Sequence, residues 1–302
     1  MAAAELAVDR RNHVARYARG ALQAADVLGV IPTPLEEVGA TLKLATPQEL
    51  FDLGDVPPDL ARRLRRLFGR VKGAFAVRER VIYLDAEQAP PQRRFVHGHE
   101  IGHDALPWHT EAYYGEDCRT LDPDTRDELE AEANAFSADL LFNMDAFTDR
   151  AHSFRPGLAP ALELAETFGT SRHAAIRRYV EDSPRPCALL LLGRYVVSHD
   201  VQPALAVLRS IESASFRDRY GPIDYCFPRK LHIAQSSIAR DAYQVLRGIA
   251  RTPIIAGDTT AEGNRGKTHL DYEVYSNKYF CFVLLVPHRR IATGTPVRVL
   301  WN

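Results

Sequence analysis

Prolines at 90, 91 and 107 bracket the stretch APPQRRFVHGHEIGHDALP, and this bracket constrains the fold more than any other feature of the chain. Proline fits the first turn of a helix, where its missing N–H is not needed, but not the interior. The spacing predicts one helix from about Pro90 to Leu106. At 100° per residue from His99, the residues Phe95, Val96, Gly102, His103 and Leu106 all fall within about 60°, whereas His97 lies about 160° away. His99 and His103 are therefore expected on the buried stripe and His97 off it. Two imidazoles one turn apart can hold one metal ion, and Glu100, the next residue, stands beside the open coordination position. This is the HExxH arrangement. Gly98 and Gly102 each cost about 1 kcal/mol in a helix interior, which points to close approach by another element.

A catalytic zinc usually takes three protein ligands, so one more is needed from further along. The next helix is expected in DPDTRDELEAEANAFSADLLFN, with Asp122 or Asp124 near its cap. It offers three glutamates. Spacing puts Glu128, Glu132, Ala135 and Asp139 on one polar stripe expected to face water, and Glu130 on another with Ala133, Asn134, Ser137 and Leu141. Glu130 is the expected third ligand and Glu128 the alternative. His109, Tyr113 and Tyr114, read as a loop between the two helices, are candidates to stabilise an oxyanion. Asp104 is a candidate to orient a ligand imidazole.

Before this region, Val14, Tyr17, Ala18, Ala21, Leu22 and Ala25 recur at helical spacing, and TPLEEV starts a short helix with Thr33 as its N-cap. PPDLARRLRRLFGR reads as a helix whose arginines form a solvated face, with a phosphate or acidic partner as the alternative. Val71 to Ala86 reads as a β-hairpin, whose edge could take an extended substrate as an added strand. Beyond the second metal helix, Ala159 to Glu181 has helix-turn-helix spacing, with Gly169 at the turn and Ser171 as N-cap. Arg172, His173, Arg177 and Arg178 are its candidate nucleic-acid contacts, set against plain helix packing. After the linker DSPRP, a buried strand (CALLLLGRYVV), a capped helix (SSIARDAYQVLRGIA) and a hairpin turning near Ser276 and Asn277 suggest a separate α+β domain.

The chain of 302 residues is 46% hydrophobic and has a net charge of −1, so overall charge gives no reason to expect nucleic acid or a membrane as partner. No stretch approaches the roughly 18 apolar residues of a membrane span, and the first apolar run is broken by Glu5 and Asp9. Four scattered cysteines without CxxC spacing fit free thiols in the cytosol.

RRFVHGHEIGHDAL followed by ELEAEANAFSADLLF resembles the ImmA/IrrE metallopeptidases, in which an HExxH helix is followed by a helix with a Glu four residues before a characteristic Asn. Here those residues are Glu130 and Asn134. The chain differs in having His97 and Gly98 before the motif and LLFN where LLMP is usual. The resemblance covers about residues 10 to 182. It implies an α+β chain with a zincin-like peptidase domain over 1–150, a helix-turn-helix segment over 151–182 and a smaller α+β domain over 187–302, GAF-like by architecture. It further implies a metalloendopeptidase in which His99, His103 and Glu130 hold the metal and Glu100 is the general base. Its substrate would be a helix-turn-helix repressor, cut in response to DNA damage, other stress or a mobile element. Zinc suits the ligand set, with Mn or Fe as alternatives. The competing reading is a regulatory protein that binds a repressor or DNA without cleaving it.

Overall fold

In the computed structural model, the described residues are 6–46, 73–76, 80–85, 88–115, 122–198, 201–263 and 266–288. The arginine-rich segment from Pro57 to Arg70 lies outside them. The chain is α+β and divides into two compact units: Met1–Ser153 with Leu162–Ala175, and Phe154–Ala161 with Ile176–Asn302.

In the first unit, α1 (Val8–Ala24) buries Val14, Ala18, Ala21 and Leu22, the stripe expected from its spacing. The short helix α2 (Leu35–Thr41) starts one residue later than its capping signal suggests, because Pro34 is the N-cap. Thr33 does not cap it. Thr33 is fully buried and donates its hydroxyl to the Leu140 carbonyl at 2.7 Å. Strands β1 (Gly73–Ala76) and β2 (Val81–Leu84) pair antiparallel as the expected hairpin. Helix α3 (Pro90–Ala105) has its prolines at the start, as expected. Pro107 ends it but opens no loop: α4 (Pro107–Gly115) follows at once. Asp122 caps α5 (Pro123–Leu141), accepting from the amides of Asp124 and Thr125.

Helix α3 is buried on more than one face. His97, expected away from the core, is 3% exposed and lies near Gly39 of α2, with Nε2 3.1 Å from Thr46 Oγ1. The pattern on one helix could not reveal this, since α2 and the hairpin, as well as α5, pack against α3. Burial lowers the pKa of His97, against the charge of Glu36, which raises it. The apolar centre of the unit combines Val14, Leu22, Leu35, Ile82, Ile101 and Phe136. Asn143, in the LLFN stretch, is 1% exposed at φ 48°: its amide nitrogen lies 3.1 Å from the carbonyls of Val27 and Val30, and its Oδ1 accepts from Gly29 N. That polar hub explains an asparagine at this position.

Helix α6 (Ala146–His152) completes the run before the pair α7 (Leu158–Phe168) and α8 (Arg172–Glu181). Gly169 takes φ 63° at their turn, and the Ser171 hydroxyl accepts from Ala174 N, as the sequence suggests. The division between units runs through both helices.

In the second unit the described strands form an antiparallel sheet of order β5-β4-β3-β8-β7-β6. They are β3 (Ala188–Ser198), β4 (Val201–Glu212), β5 (Lys230–His232), β6 (Ile254–Gly263), β7 (Gly266–Ser276) and β8 (Cys281–Pro287). Helix α9 (Ala214–Tyr220) follows β4. Helix α10 (Ser237–Leu246), capped by Ser236, packs Ile238, Ala239 and Ala242 against Leu190, Val274 and Val283. No helix among the described residues is long and apolar enough to cross a membrane.

Candidate metal centre

Helices α3 and α5 approach closely because two glycines of α3 face Ser137 and Phe136 of α5. A Cβ added at Gly98 would lie 2.7 Å from Ser137 Oγ, and one at Gly102 would lie 3.1 Å from Phe136. Ser137 is itself fixed, donating to the Phe95 carbonyl at 2.7 Å. This contact brings Glu130 of α5 over the His99–His103 pair of α3. His99 Nε2 lies 3.0 Å from His103 Nε2 and 3.4 Å from one Glu130 oxygen, while His103 Nε2 lies 3.7 Å from the other. A tetrahedral ion with donors at about 2.0–2.1 Å spaces those donors about 3.3 Å apart, so the three fit one zinc-sized cation. Among the described residues this is the one group of three or more histidine, cysteine or acidic side chains placed to hold a metal. Glu128 is not in it: half exposed, it pairs with Arg10 at 2.8 Å.

The ring nitrogens are arranged for the same purpose. His99 Nδ1 lies 3.0 Å from Asn134 Oδ1, which, with its carbonyl so presented, accepts the Nδ1 hydrogen and leaves Nε2 with its lone pair toward the centre. Burial lowers the pKa of His99, but the hydrogen bond to Glu130 and the charges of Glu100 and Glu130 outweigh it, and the net direction is up. Glu130 is lowered, chiefly by that hydrogen bond with His99. Burial, with His99 and His109 nearby, pushes His103 down to about 3, so its imidazole is neutral. Glu100 is 9% exposed, and burial raises its carboxyl to about 7, with His99 opposing and Glu130 reinforcing. A carboxylate near 7 is matched to proton transfer at neutral pH.

Three readings from the sequence change here. Glu132 and Asp139, expected to face water, are 2% and 1% exposed. Glu132 meets Arg10, Trp108 and His109, and both oxygens of Asp139 are held by Arg11. Those arginines lie on α1, more than 120 residues away, so no local pattern could announce them. His109 is not a free donor in a loop: it is fully buried on α4 with Nδ1 2.9 Å from His103 Nδ1 and Nε2 2.9 Å from Glu132. Tyr113 and Tyr114 are on the same helix. Their side chains lie outside the described residues. Asp104 turns to Arg80 at 2.9 Å rather than to a ligand imidazole. Asn134 orients His99 although spacing alone gave it no role.

Elsewhere, Arg172 pairs with Glu166, Arg177 with Glu181 and Arg178 with Asp182. These arginines meet carboxylates on their own helix pair and neighbouring turn.

The comparisons with known proteins are consistent with this site. Residues 61–179 match the Peptidase_M78 family, described as an IrrE N-terminal-like domain. A solved Mycobacterium tuberculosis transcriptional regulator is similar in fold at 14% identity, with a TM-score of 0.51 over 97% of this chain and 96% of that one. No curated protein matches. The matched residues 61–179 span both metal-facing helices, so it is this part of the chain that is similar to the IrrE N-terminal-like peptidase domain.

Proposed function

We propose that this chain is a zinc-type endopeptidase of the cytoplasm that cuts a helix-turn-helix transcriptional repressor in response to DNA damage, other stress or a mobile element. The observation that carries the catalytic part is the cluster of His99, His103 and Glu130, with the two Nε2 atoms 3.0 Å apart and each within 3.4–3.7 Å of a Glu130 oxygen, beside the buried Glu100. A site kept only for structure needs no base. When bound, the metal ion supplies Lewis acidity at the scissile carbonyl. Glu100 takes a proton from the attacking water and passes it to the leaving amine. Asn134 keeps the His99 ring turned inward throughout. Two imidazoles and a carboxylate suit zinc, and Mn or Fe can occupy the same donors. The regulatory setting is supported by the family and by the description of the structural neighbour as a transcriptional regulator. The six-stranded unit is proposed as its sensor part.

The test is a comparison of newly formed protein N-termini in cells carrying the wild type or Glu100→Gln, before and after DNA damage. One repressor cut only by the wild type is expected. Identical profiles in every condition would instead favour a regulator that binds without cleaving. The purified Glu100→Gln variant should keep its zinc, whereas Glu130→Ala should lose it along with activity.

A further inference from the structure

A buried chain of polar contacts runs from the metal-facing His103 away from the centre. His103 Nδ1 lies 2.9 Å from His109 Nδ1, and His109 Nε2 lies 2.9 Å from Glu132 Oε2. The same Glu132 oxygen is 2.6 Å from Trp108 Nε1, and the other is 3.1 Å from an Arg10 nitrogen. The direction of every bond can be read from its far end. Indole N–H and guanidinium are donors only, so both Glu132 oxygens act as acceptors. His109 Nε2, facing one of those oxygens, must therefore donate. A neutral His109 then has its lone pair on Nδ1, and among the described residues the group facing that lone pair is His103 Nδ1, which must carry the hydrogen. In that tautomer His103 presents the Nε2 lone pair to the centre, as a metal ligand has to.

We propose that His109 and Glu132 are positioning residues which hold His103 in its metal-binding tautomer and ring orientation, with Trp108 and Arg10 anchoring Glu132. The inference rests on the reading of His99, His103 and Glu130 as metal ligands and adds what sets their affinity. It also accounts for a fully buried histidine and a nearly fully buried glutamate that the reaction itself does not use. Helix α4 thereby becomes part of the metal site, although none of its residues is a ligand. The arrangement assigns different supports to the two histidines: an amide on α5 for His99, and an imidazole backed by a carboxylate for His103.

The test compares zinc affinity, by competition with a chromophoric chelator, in the full-length wild type, His109→Leu and His109→Gln. Leu fills the space but neither donates nor accepts. Gln restores the polarity, its amide N–H facing Glu132 and its oxygen accepting from His103. Loss of such an outer support typically weakens metal binding 10–100-fold. The Leu variant is expected in that range, with a shifted visible spectrum when cobalt replaces zinc, and the Gln variant within about threefold of wild type. A folded Leu variant binding as tightly as wild type would overturn the proposal, as would a Gln variant as weak as Leu. Should the Leu variant not fold, histidine ¹⁵N NMR of the zinc-loaded wild type decides. The proposal requires the Nε2–H tautomer at His109 and the Nδ1–H tautomer at His103, and any other pair refutes it. Failure of the underlying reading looks different: wild type and Glu130→Ala would then bind zinc equally poorly, whatever occupies position 109.

Discussion

Replacing Gly98 by Ala tests the contact on which the metal centre is built. Away from tertiary contacts the change should stabilise a helix by about 1 kcal/mol, because alanine loses less backbone entropy than glycine. At Gly98 the new methyl would sit 2.7 Å from Ser137 Oγ, closer than real Cβ atoms come, and 3.4 Å from the Ser137 Cα. The hydroxyl must swing away and lose its 2.7 Å bond to the Phe95 carbonyl, or the helices must separate. Stranding a buried hydroxyl or overpacking a helix contact costs roughly 1–3 kcal/mol. Set against the propensity gain of about 1 kcal/mol, a net loss of up to about 2 kcal/mol is expected. The control is Gly20→Ala on α1, where nothing lies within 4 Å of the added methyl and the full gain of about 1 kcal/mol should appear. Urea unfolding of the metal-free protein, followed by far-UV circular dichroism, is the assay. With a slope of about 2 kcal/mol per M, the midpoint should fall by up to about 1 M for Gly98→Ala and rise by about 0.5 M for Gly20→Ala. Adding Ser137→Ala to Gly98→Ala removes the oxygen and should restore part of the loss. A Gly98→Ala protein that gains stability as Gly20→Ala does would refute the reasoning.

Zinc affinity should depend on pH in a defined direction. His99 is held above its ordinary 6.5 and must release its proton to bind the ion, so affinity should fall about tenfold per unit once pH drops below that pKa; titrations from pH 8 to 5 that stay flat would count against His99 as a ligand. Zinc at about a thousand times its Kd should stabilise the protein by about 4 kcal/mol against the chelated form. The matching rise in Tm should vanish in Glu130→Ala. Arg80→Ala should cost about 1–3 kcal/mol near pH 7, since it strips a partner from Asp104, whose side chain is 6% exposed. Burial already raises Asp104 above its ordinary pKa, and losing Arg80 raises it further. The folded state therefore binds the proton more readily than the unfolded one, and stability is lost as pH rises. The deficit should be smaller near pH 4 than near pH 7, and denaturant midpoints at the two values check this.

Much of the site could be read from local patterns. The proline bracket, the i, i+4 histidines and the Asp122 cap depend on contacts within a few turns, and they reappear where expected. So do the Gly169 turn and the hairpins, whose geometry is also local. Strands β4 and β6 show no clean alternation of polar and apolar residues, and they are strands because β3 and β7 supply their hydrogen bonds.

Sequence by itself determined the helix carrying His99, Glu100 and His103, since a 3.6-residue period and three prolines act along the chain without regard to what packs against it. It determined Glu130 over Glu128 only as far as a shared stripe can. Tertiary structure alone decided which polar side chains are inside. Glu132 and Asp139 are buried because Arg10, Arg11, Trp108 and His109 arrive to meet them, and His97 because Gly39 of α2 and Thr46 lie against its side of α3. A charged group goes inside only where its partners already wait, and those partners are set by the packing of separate elements, some of them more than 120 residues apart.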